Sequence, residues 1–113
     1  MFSHTDQAFL LDILTEARSI AELVIGLTYE QFLGDSRTRK AVERSFEVLG
    51  LASKGMSSDF VHAHPEFPWR WMVDTRNVIA HEYKKVNYAL LWETIQMDIP
   101  DLIRMIEPLV PKE

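Results

Sequence analysis

Cysteine is absent from this chain, which excludes disulfide bonds and cysteine-ligated zinc and fits a reducing compartment. Long apolar runs are absent too: no segment approaches the about 18 consecutive apolar residues of a transmembrane helix, and no basic stretch followed by an apolar one opens the chain. We therefore expect a cytoplasmic protein without a membrane segment. No linker or low-complexity tail is evident, and 113 residues suffice for a single domain, which we assign to residues 1–113.

Positive charge is in deficit, with 12 Lys and Arg against 17 Asp and Glu and a net charge of −5. This balance argues against a nucleic-acid-binding protein, because binding to phosphate normally needs a basic surface. The distribution argues the other way: residues 37–85 contain nine basic and six acidic side chains, a net of +3, whereas the remaining segments contain three and eleven, a net of −8. Solvated helix faces often differ in charge by this much. The charge pattern therefore permits RNA binding and does not demand it.

Apolar residues recur at a helical spacing along nearly the whole chain, without the alternation of a strand and without an internal repeat. The spacing predicts four long amphipathic helices, which run to about Leu27, from Asp35 or Ser36 to about Gly55, from Pro68 to about Lys85, and from Asn87 onwards. Short helical pieces are predicted near residues 28–34 and 59–63, with a kink or break near Pro100. These elements indicate an all-α protein, an antiparallel four-helix bundle with one or two short extra helices.

The most informative segment is residues 76–83, Arg-Asn-Val-Ile-Ala-His-Glu-Tyr, in the third long helix. On a helical wheel, Arg76 falls in the middle of an apolar face formed by Trp69, Met72, Val73, Ile79, Ala80 and Tyr83. A charge at such a position is unfavourable unless it is paired or lines a polar cleft. Two interpretations follow: Arg76 pairs with a core carboxylate such as Asp12 or Glu47, or it serves a site that needs a cation.

Asn77 and His81 lie four residues apart on one flank of this helix, which they share with Arg70 and Asp74. Arg76 and His81 diverge by about 140° around the helix, so one chain does not easily aim both side chains at one atom. A two-fold dimer offers a solution, because two copies of the helix near the axis could line one composite cleft with both residues. The spacing therefore favours a homodimer.

The residue types in this segment suit RNA cleavage without a metal or cofactor, because RNA supplies its own nucleophile, the 2′-hydroxyl. Histidine has an unperturbed pKa of about 6.5, so His81 suits the role of general base or acid, and two copies could divide these roles. Arg76 stays charged and can hold a phosphate through two N–H groups. Asn77 could support either His81 or a phosphate oxygen. We therefore predict Arg76 and His81 as catalytic residues and Asn77 as a supporting one.

Further basic residues are candidate contacts to RNA or to a partner protein, although such side chains on a helix are most often only solvated. They are Arg37, Arg39 and Lys40 in the second long helix, Arg70 in the third, and Lys84 and Lys85 at its end. His62 and His64 are poorly spaced for one metal ion and have no cysteine or carboxylate cluster beside them, so no metal site is predicted. Trp69, Trp71 and Phe67 could stack bases, but Trp69 is expected in the core, whereas Trp71, on the opposite face with Val78, is a better candidate for a subunit or partner contact.

The order of arginine, polar residue, three further residues, histidine, one residue and tyrosine resembles the signature of HepT-like toxins, a branch of the HEPN-domain ribonucleases of bacteria and archaea. Other segments resemble this family in the same order. Residues 46–52 are similar to the family's helix that ends in Gly-Glu-Ala, and residues 65–69 are similar to its short lead into the motif helix. Trp92 together with residues 98–102 is similar to its last helix. The resemblance covers most of the chain. Leu51 departs from it, since the family usually has a glutamate there.

The resemblance implies a HEPN-like helical fold, a dimer that activity requires, and a metal-independent endoribonuclease that acts as a toxin. It also implies a partner, a minimal nucleotidyltransferase antitoxin that adds AMP to Tyr83, where the new phosphate would lie beside Arg76 and block RNA. A different function is a non-catalytic helical module that binds a nucleotidyltransferase and presents substrate or nucleic acid to it. A third is a helical interaction protein in which Arg76 only stabilises the fold.

Overall fold

The computed structural model describes residues 4–110, apart from the side chains of His4 and Tyr83. These residues form six α-helices: α1 (His4–Leu23), α2 (Tyr29–Gly34), α3 (Ser36–Gly55), α4 (Ser58–Ala63), α5 (Trp69–His81) and α6 (Tyr88–Ile106). Two 3-10 turns, Tyr83–Lys85 and Glu107–Leu109, follow α5 and α6. No strand occurs within the described range. The prediction of an all-α fold with four long helices and short additional ones is therefore confirmed.

Helix α3 lies between α1 and α5 and packs against both, while α6 packs against α1. Every helix contributes apolar side chains to the common core. The largest fully buried ones are Leu10, Ile13, Ile20, Phe32, Phe46, Leu49, Phe60, Met72, Ile99, Leu102 and Ile106. Burial of one such side chain stabilises a fold by about 1.5–3 kcal/mol. The motif helix α5 is therefore held mainly through its contact with α3.

The starts of α3 and α6 follow the capping residues that the sequence predicts. Asp35 accepts a hydrogen bond from the backbone N–H of Thr38 at 3.1 Å. Asn87 accepts one from the backbone N–H of Leu90 at 3.0 Å. These contacts satisfy N–H groups that have no partner within the helix. Both predicted starts are confirmed.

Two predictions about helix continuity are changed by the structure. Helix α1 ends at Leu23 and not near Leu27, because Gly26 adopts a φ of 77°, a left-handed conformation that stops a helix. Helix α6 runs through Pro100 without a break, so the missing N–H of this proline is tolerated inside the helix. None of the helices formed by residues 4–110 is long and apolar enough to span a membrane.

The motif helix is shorter than its apolar spacing predicts. Helix α5 ends at His81, whereas the prediction extended it to about Lys85. Glu82 leaves the helical region with φ −130° and ψ 41°. The Lys85 N–H then donates to the Glu82 carbonyl at 2.7 Å and closes the 3-10 turn. The prediction for this helix end is therefore wrong by about one turn.

Candidate active site

Arg76 lies where α5 crosses α3, directly against Gly50. A Cβ atom at position 50 would stand 2.2 Å from Cβ and 2.8 Å from Cγ of Arg76, so the helices approach as closely as a bare Cα permits. The methylene part of the Arg76 side chain therefore packs on α3 while its charged end can reach beyond the contact. This arrangement explains how an arginine is accommodated in the middle of the apolar face of α5.

The guanidinium group of Arg76 has no carboxylate partner among the residues that the structure describes. Its Nε is buried without a hydrogen-bond partner, and its Nη1 donates to Oδ1 of Asn77 at 3.1 Å. Glu47 instead lies 3.8 Å from Arg44, and Asp12 is exposed on α1. The pairing of Arg76 with a core carboxylate is therefore not observed. Its outer N–H groups are available to an anion, because a guanidinium group has five donors.

His81 is the last residue of α5, and its exposed side chain borders a shallow depression of about 390 Å³. Glu82, Lys84 and Lys85 complete the lining of this depression. Lys85 Nζ lies 3.4 Å from Glu82 Oε1, whereas Lys84 has no ion pair among the described side chains. Arg76 does not line the depression. Within one chain, the two predicted catalytic residues therefore share a helix, but this depression does not bring them together.

Asn77 contacts Arg76, and the backbone of Tyr83 lies beyond the end of α5. Asn77 accepts a hydrogen bond from Arg76, as described above, and none joins it to His81 within the described part of the chain. The prediction that the motif helix extends through Tyr83 is wrong, because α5 ends two residues earlier and the backbone of Tyr83 begins the 3-10 turn. The Tyr83 side chain, for which AMP addition is predicted, lies outside the described part of the structure.

The basic residues predicted to contact RNA or a partner differ in their environment. Arg39 donates from Nη1 to the Leu33 carbonyl and lies over the Tyr88 ring, 5.3 Å from its centroid. Arg70 Nε lies 3.7 Å from the Asp74 carboxylate. The exposed members without an ion pair among the described side chains are Arg37, Lys40 and Lys84. Within the described residues, no carboxylate in an ion pair with these three side chains would have to be displaced by a phosphate backbone.

An apolar groove of about 290 Å³ lies between α5 and α6, and its walls include Trp71, Val78 and Leu90. Val78 is 36% exposed and Leu90 is 59% exposed. The Trp71 ring is half-buried and packs edge-on against Phe46, with ring centroids 6.4 Å apart. Trp71, the residue predicted to contact a subunit or partner, and Val78, which shares its helix face, therefore line one groove beside the motif helix.

His64 serves the local packing that leads into α5. Its ring stacks against Phe60 and Phe67, with centroids 4.5 Å and 5.2 Å away, and its Nδ1 lies 3.0 Å from Glu66 Oε2. The indole N–H of Trp69 donates to the His64 carbonyl at 2.9 Å, and Trp69 packs beside the same rings. Within residues 4–110, no group of three His, Cys, Asp or Glu side chains is placed to hold a metal ion.

Sequence reasoning misses Gly50 as a residue of this site, since it gives Gly50 no role beyond membership of the segment 46–52. The available signal is a glycine inside the apolar stripe of a long helix. Glycine there destabilises a helix by about 0.5–1 kcal/mol relative to alanine, so a close contact is the natural explanation. The partner in that contact, Arg76, cannot be read from the sequence.

Comparison with known proteins places the chain in one family. Residues 13–109 match the family described as ribonuclease HepT-like. A protein of Thermococcus cleftensis named "Probable ribonuclease HepT" is 40% identical over 107 residues, which cover 95% of this chain and 96% of that protein. A Methanocaldococcus jannaschii protein named "Putative RNase" is 36% identical over 104 residues, which cover 92% of this chain and 86% of that protein. No solved structure matches the chain. The chain belongs to the ribonuclease HepT-like family.

Proposed function

We propose that this protein is a metal-independent endoribonuclease and the toxin of a toxin–antitoxin pair. The observation that carries the proposal is the environment of Arg76, a cation on the apolar face of α5. Its Nε is buried, and it has no carboxylate partner among the described residues. A buried N–H without an acceptor costs about 1–3 kcal/mol, which a packing role alone does not explain. The family and the names of the relatives support the same activity.

The proposed reaction uses the 2′-hydroxyl of RNA as the nucleophile. His81 takes the proton from this hydroxyl as its oxygen attacks the adjacent phosphorus, and the bond from phosphorus to the 5′-oxygen breaks. A second imidazole returns a proton to that leaving oxygen. Arg76 stabilises the charge that develops on the non-bridging phosphate oxygens. The products are a 2′,3′-cyclic phosphate end and a 5′-hydroxyl end.

We propose that a homodimer completes the active site. Arg76 and His81 diverge by about 140° around the helix, and Arg76 does not line the depression beside His81. Two copies of α5 that pair about a two-fold axis would bring Arg76 of one protomer toward the partner's His81. The same pairing supplies two imidazoles, one for each proton transfer.

RNA cleavage by the purified protein tests this function. Wild type, Arg76→Ala and His81→Ala are incubated with tRNA, mRNA and ribosomal RNA in the presence of a chelator. Arg104→Ala is the control, because Arg104 is an exposed arginine on a different helix, α6, and has no assigned role in binding or catalysis. We expect cleavage by the wild type and by Arg104→Ala, with cyclic phosphate ends, and none by the other two. Persistent cleavage after His81→Ala, with contaminating nucleases excluded, would refute the assignment.

We propose that a minimal nucleotidyltransferase antitoxin silences the protein by adding AMP to Tyr83. The position of Tyr83 supports this, because its backbone lies two residues after His81 and directly before Lys84 and Lys85. An added phosphate would bring negative charge and bulk into the cationic surroundings that RNA needs. Intact mass after incubation with ATP and the nucleotidyltransferase should rise by one or more AMP units in wild type and not in Tyr83→Phe. Cleavage should stop only in the modified protein.

One observation favours a second function, a non-catalytic module that binds a nucleotidyltransferase and presents substrate or nucleic acid to it. Leu51 follows Gly50 on α3 and is 45% exposed, so an apolar side chain stands next in sequence to the Arg76 contact. The resemblance to HepT-like toxins implies a glutamate at this position. If dimeric wild type free of AMP cleaves none of the RNAs above, this second function replaces the first.

A further inference from the structure

We propose that Gly50 is a positioning residue for Arg76: the absence of a side chain on α3 fixes the point from which the guanidinium group leaves α5. This role rests on the ribonuclease function proposed above. Gly50 would act only through the position of Arg76, since it touches neither RNA nor the reacting atoms.

The contact at Gly50 leaves no room for a methyl group. Besides the two Arg76 atoms, a Cβ at this position would stand 2.9 Å from the backbone carbonyl oxygen of Met72. The Cβ of Arg76 and the oxygen of Met72 are fixed to the α5 backbone, so neither can rotate away. Any side chain at position 50 therefore requires α5 to move as a unit relative to α3.

The close approach continues one turn further along α3. Ser53 is buried, donates from Oγ to the Leu49 carbonyl at 2.8 Å, and lies 3.2 Å from the Met72 sulfur. A second small residue thus faces the same stretch of α5. The seam between the helices is consequently narrow at both positions, and Gly50 marks the point where it meets the motif.

The other glycines of the chain do not press on the motif helix. A Cβ at Gly55 would stand 2.6 Å from Cζ of Phe9, the end of a side chain on α1, and a Cβ at Gly34 would meet nothing within 4 Å. Gly50 differs from these glycines in its neighbours. The atoms that leave no room for a side chain at position 50 belong to Arg76 and to Met72, one turn earlier on α5.

The close contact of α3 with Arg76 at Gly50 restricts how the Arg76 side chain can move. A helix already limits the first side-chain torsion, and α3 now covers Cβ and Cγ. Nε is enclosed and Nη1 is held by Asn77, so only the outer edge of the guanidinium group faces outward. A cation that stabilises developing charge must be in place before the reaction, and a misplacement of about 1 Å can lower the rate on the order of 100-fold.

The first experiment compares Gly50→Ala with Gly55→Ala, the same substitution on the same helix with crowding against Phe9 in place of Arg76. With the RNA that the wild type cleaves, we expect kcat of folded Gly50→Ala to fall on the order of 100-fold while KM changes little. Gly55→Ala should keep the wild-type kcat at a temperature where both variants are folded. Wild-type kcat in folded Gly50→Ala, or an equal loss in both variants, would overturn the proposal.

The second experiment needs no variant of Gly50. The Nε–H resonance of Arg76 is assigned in the nitrogen–proton NMR spectrum by its loss in Arg76→Lys, and its exchange with solvent is measured in the RNA-free protein. We expect slow exchange and a rigid Nε–H bond, in contrast to exposed Arg70. Fast exchange and free motion at Arg76 would overturn the proposal, including in the case where Gly50→Ala does not fold. If the wild type cleaves no RNA, the ribonuclease function fails, while this measurement still decides whether Arg76 is held rigidly where α5 meets α3.

Discussion

The Tyr88 hydroxyl donates a hydrogen bond to Oε1 of Glu43 at 2.7 Å, and this contact ties the first residue of α6 to α3. Arg39, one turn before Glu43, lies over the same ring. The segment between His81 and Tyr88 is therefore anchored at both ends, by α5 on one side and by α3 on the other. Side chains of α3, a helix distant in sequence, therefore hold the turn that follows the motif helix to the bundle.

Removal of this hydrogen bond should destabilise the fold. Tyr88→Phe keeps the ring and removes the donor, so we expect the free energy of unfolding to fall by about 1.5–3 kcal/mol, the range for hydrogen bonds to charged groups. Urea denaturation measures the change. Tyr29→Phe is the matched control, because no hydrogen bond of the Tyr29 hydroxyl occurs within the described residues. Equal stability of wild type and Tyr88→Phe would show that the bond contributes nothing.

The same contact should make stability depend on pH in the alkaline range. Burial, and then the Glu43 carboxylate, raise the pKa of Tyr88 above its usual value of 10.0. Because the folded-state pKa lies above the unfolded one, the contribution is complete below about pH 10 and is lost as the pH rises through the folded-state value. The stability difference between wild type and Tyr88→Phe should shrink in that range. A constant difference would contradict the role of the hydroxyl proton.

Asn77 should affect catalysis through Arg76. Asn77→Ala removes the acceptor of the Nη1 hydrogen bond, so we expect kcat to fall on the order of tenfold, as for loss of one hydrogen bond to a charged group. Binding of a 2′-O-methyl RNA, which lacks the nucleophile, should weaken less than kcat falls. Gln96→Ala, which removes an exposed amide on α6, should leave both quantities unchanged. Wild-type kcat in Asn77→Ala would exclude this role.

Lys84 should contribute to the affinity for RNA through its charge. It is exposed beside His81 and has no ion pair among the described side chains. Each lysine that contacts a phosphate of single-stranded RNA adds about 0.7 to the slope of log affinity against log salt concentration. We expect Lys84→Ala to lower the slope by this amount, measured with 2′-O-methyl RNA. Lys54→Ala, at an exposed lysine in the last turn of α3, is the control and should keep the wild-type slope.

Asp6 should be important for stability although it carries no role in the proposed reaction. Its buried carboxylate accepts from the Ser57 backbone N–H at 2.8 Å and from the Ser57 hydroxyl at 2.5 Å, which joins α1 to the start of α4. Asp6→Ala should lower the free energy of unfolding by at least about 1.5–3 kcal/mol, the value for one such bond. Asp12→Ala, at an exposed position of the same helix, should have little effect. Comparable urea midpoints for both variants would contradict this assignment.

Much of the fold and part of the site follow from local properties of the sequence. The spacing of apolar residues determines which face of each long helix is buried, because the helical period is a property of the chain itself. Asp35 and Asn87 mark helix starts because their side chains satisfy N–H groups three residues away. The position of Arg76 on an apolar face is visible for the same reason, and so is its separation from His81 around the helix.

The tertiary structure decided what depends on contacts between distant segments. Helix α5 ends at His81 although the apolar spacing continues, and Tyr88, at the start of the next helix, is bonded to α3. The closeness of Gly50 to Arg76, and the buried Nε that results, arise only where two helices cross. Periodicity tells which residues face inward, but it carries no information about which inward-facing residues meet, because that depends on the packing of whole helices against one another.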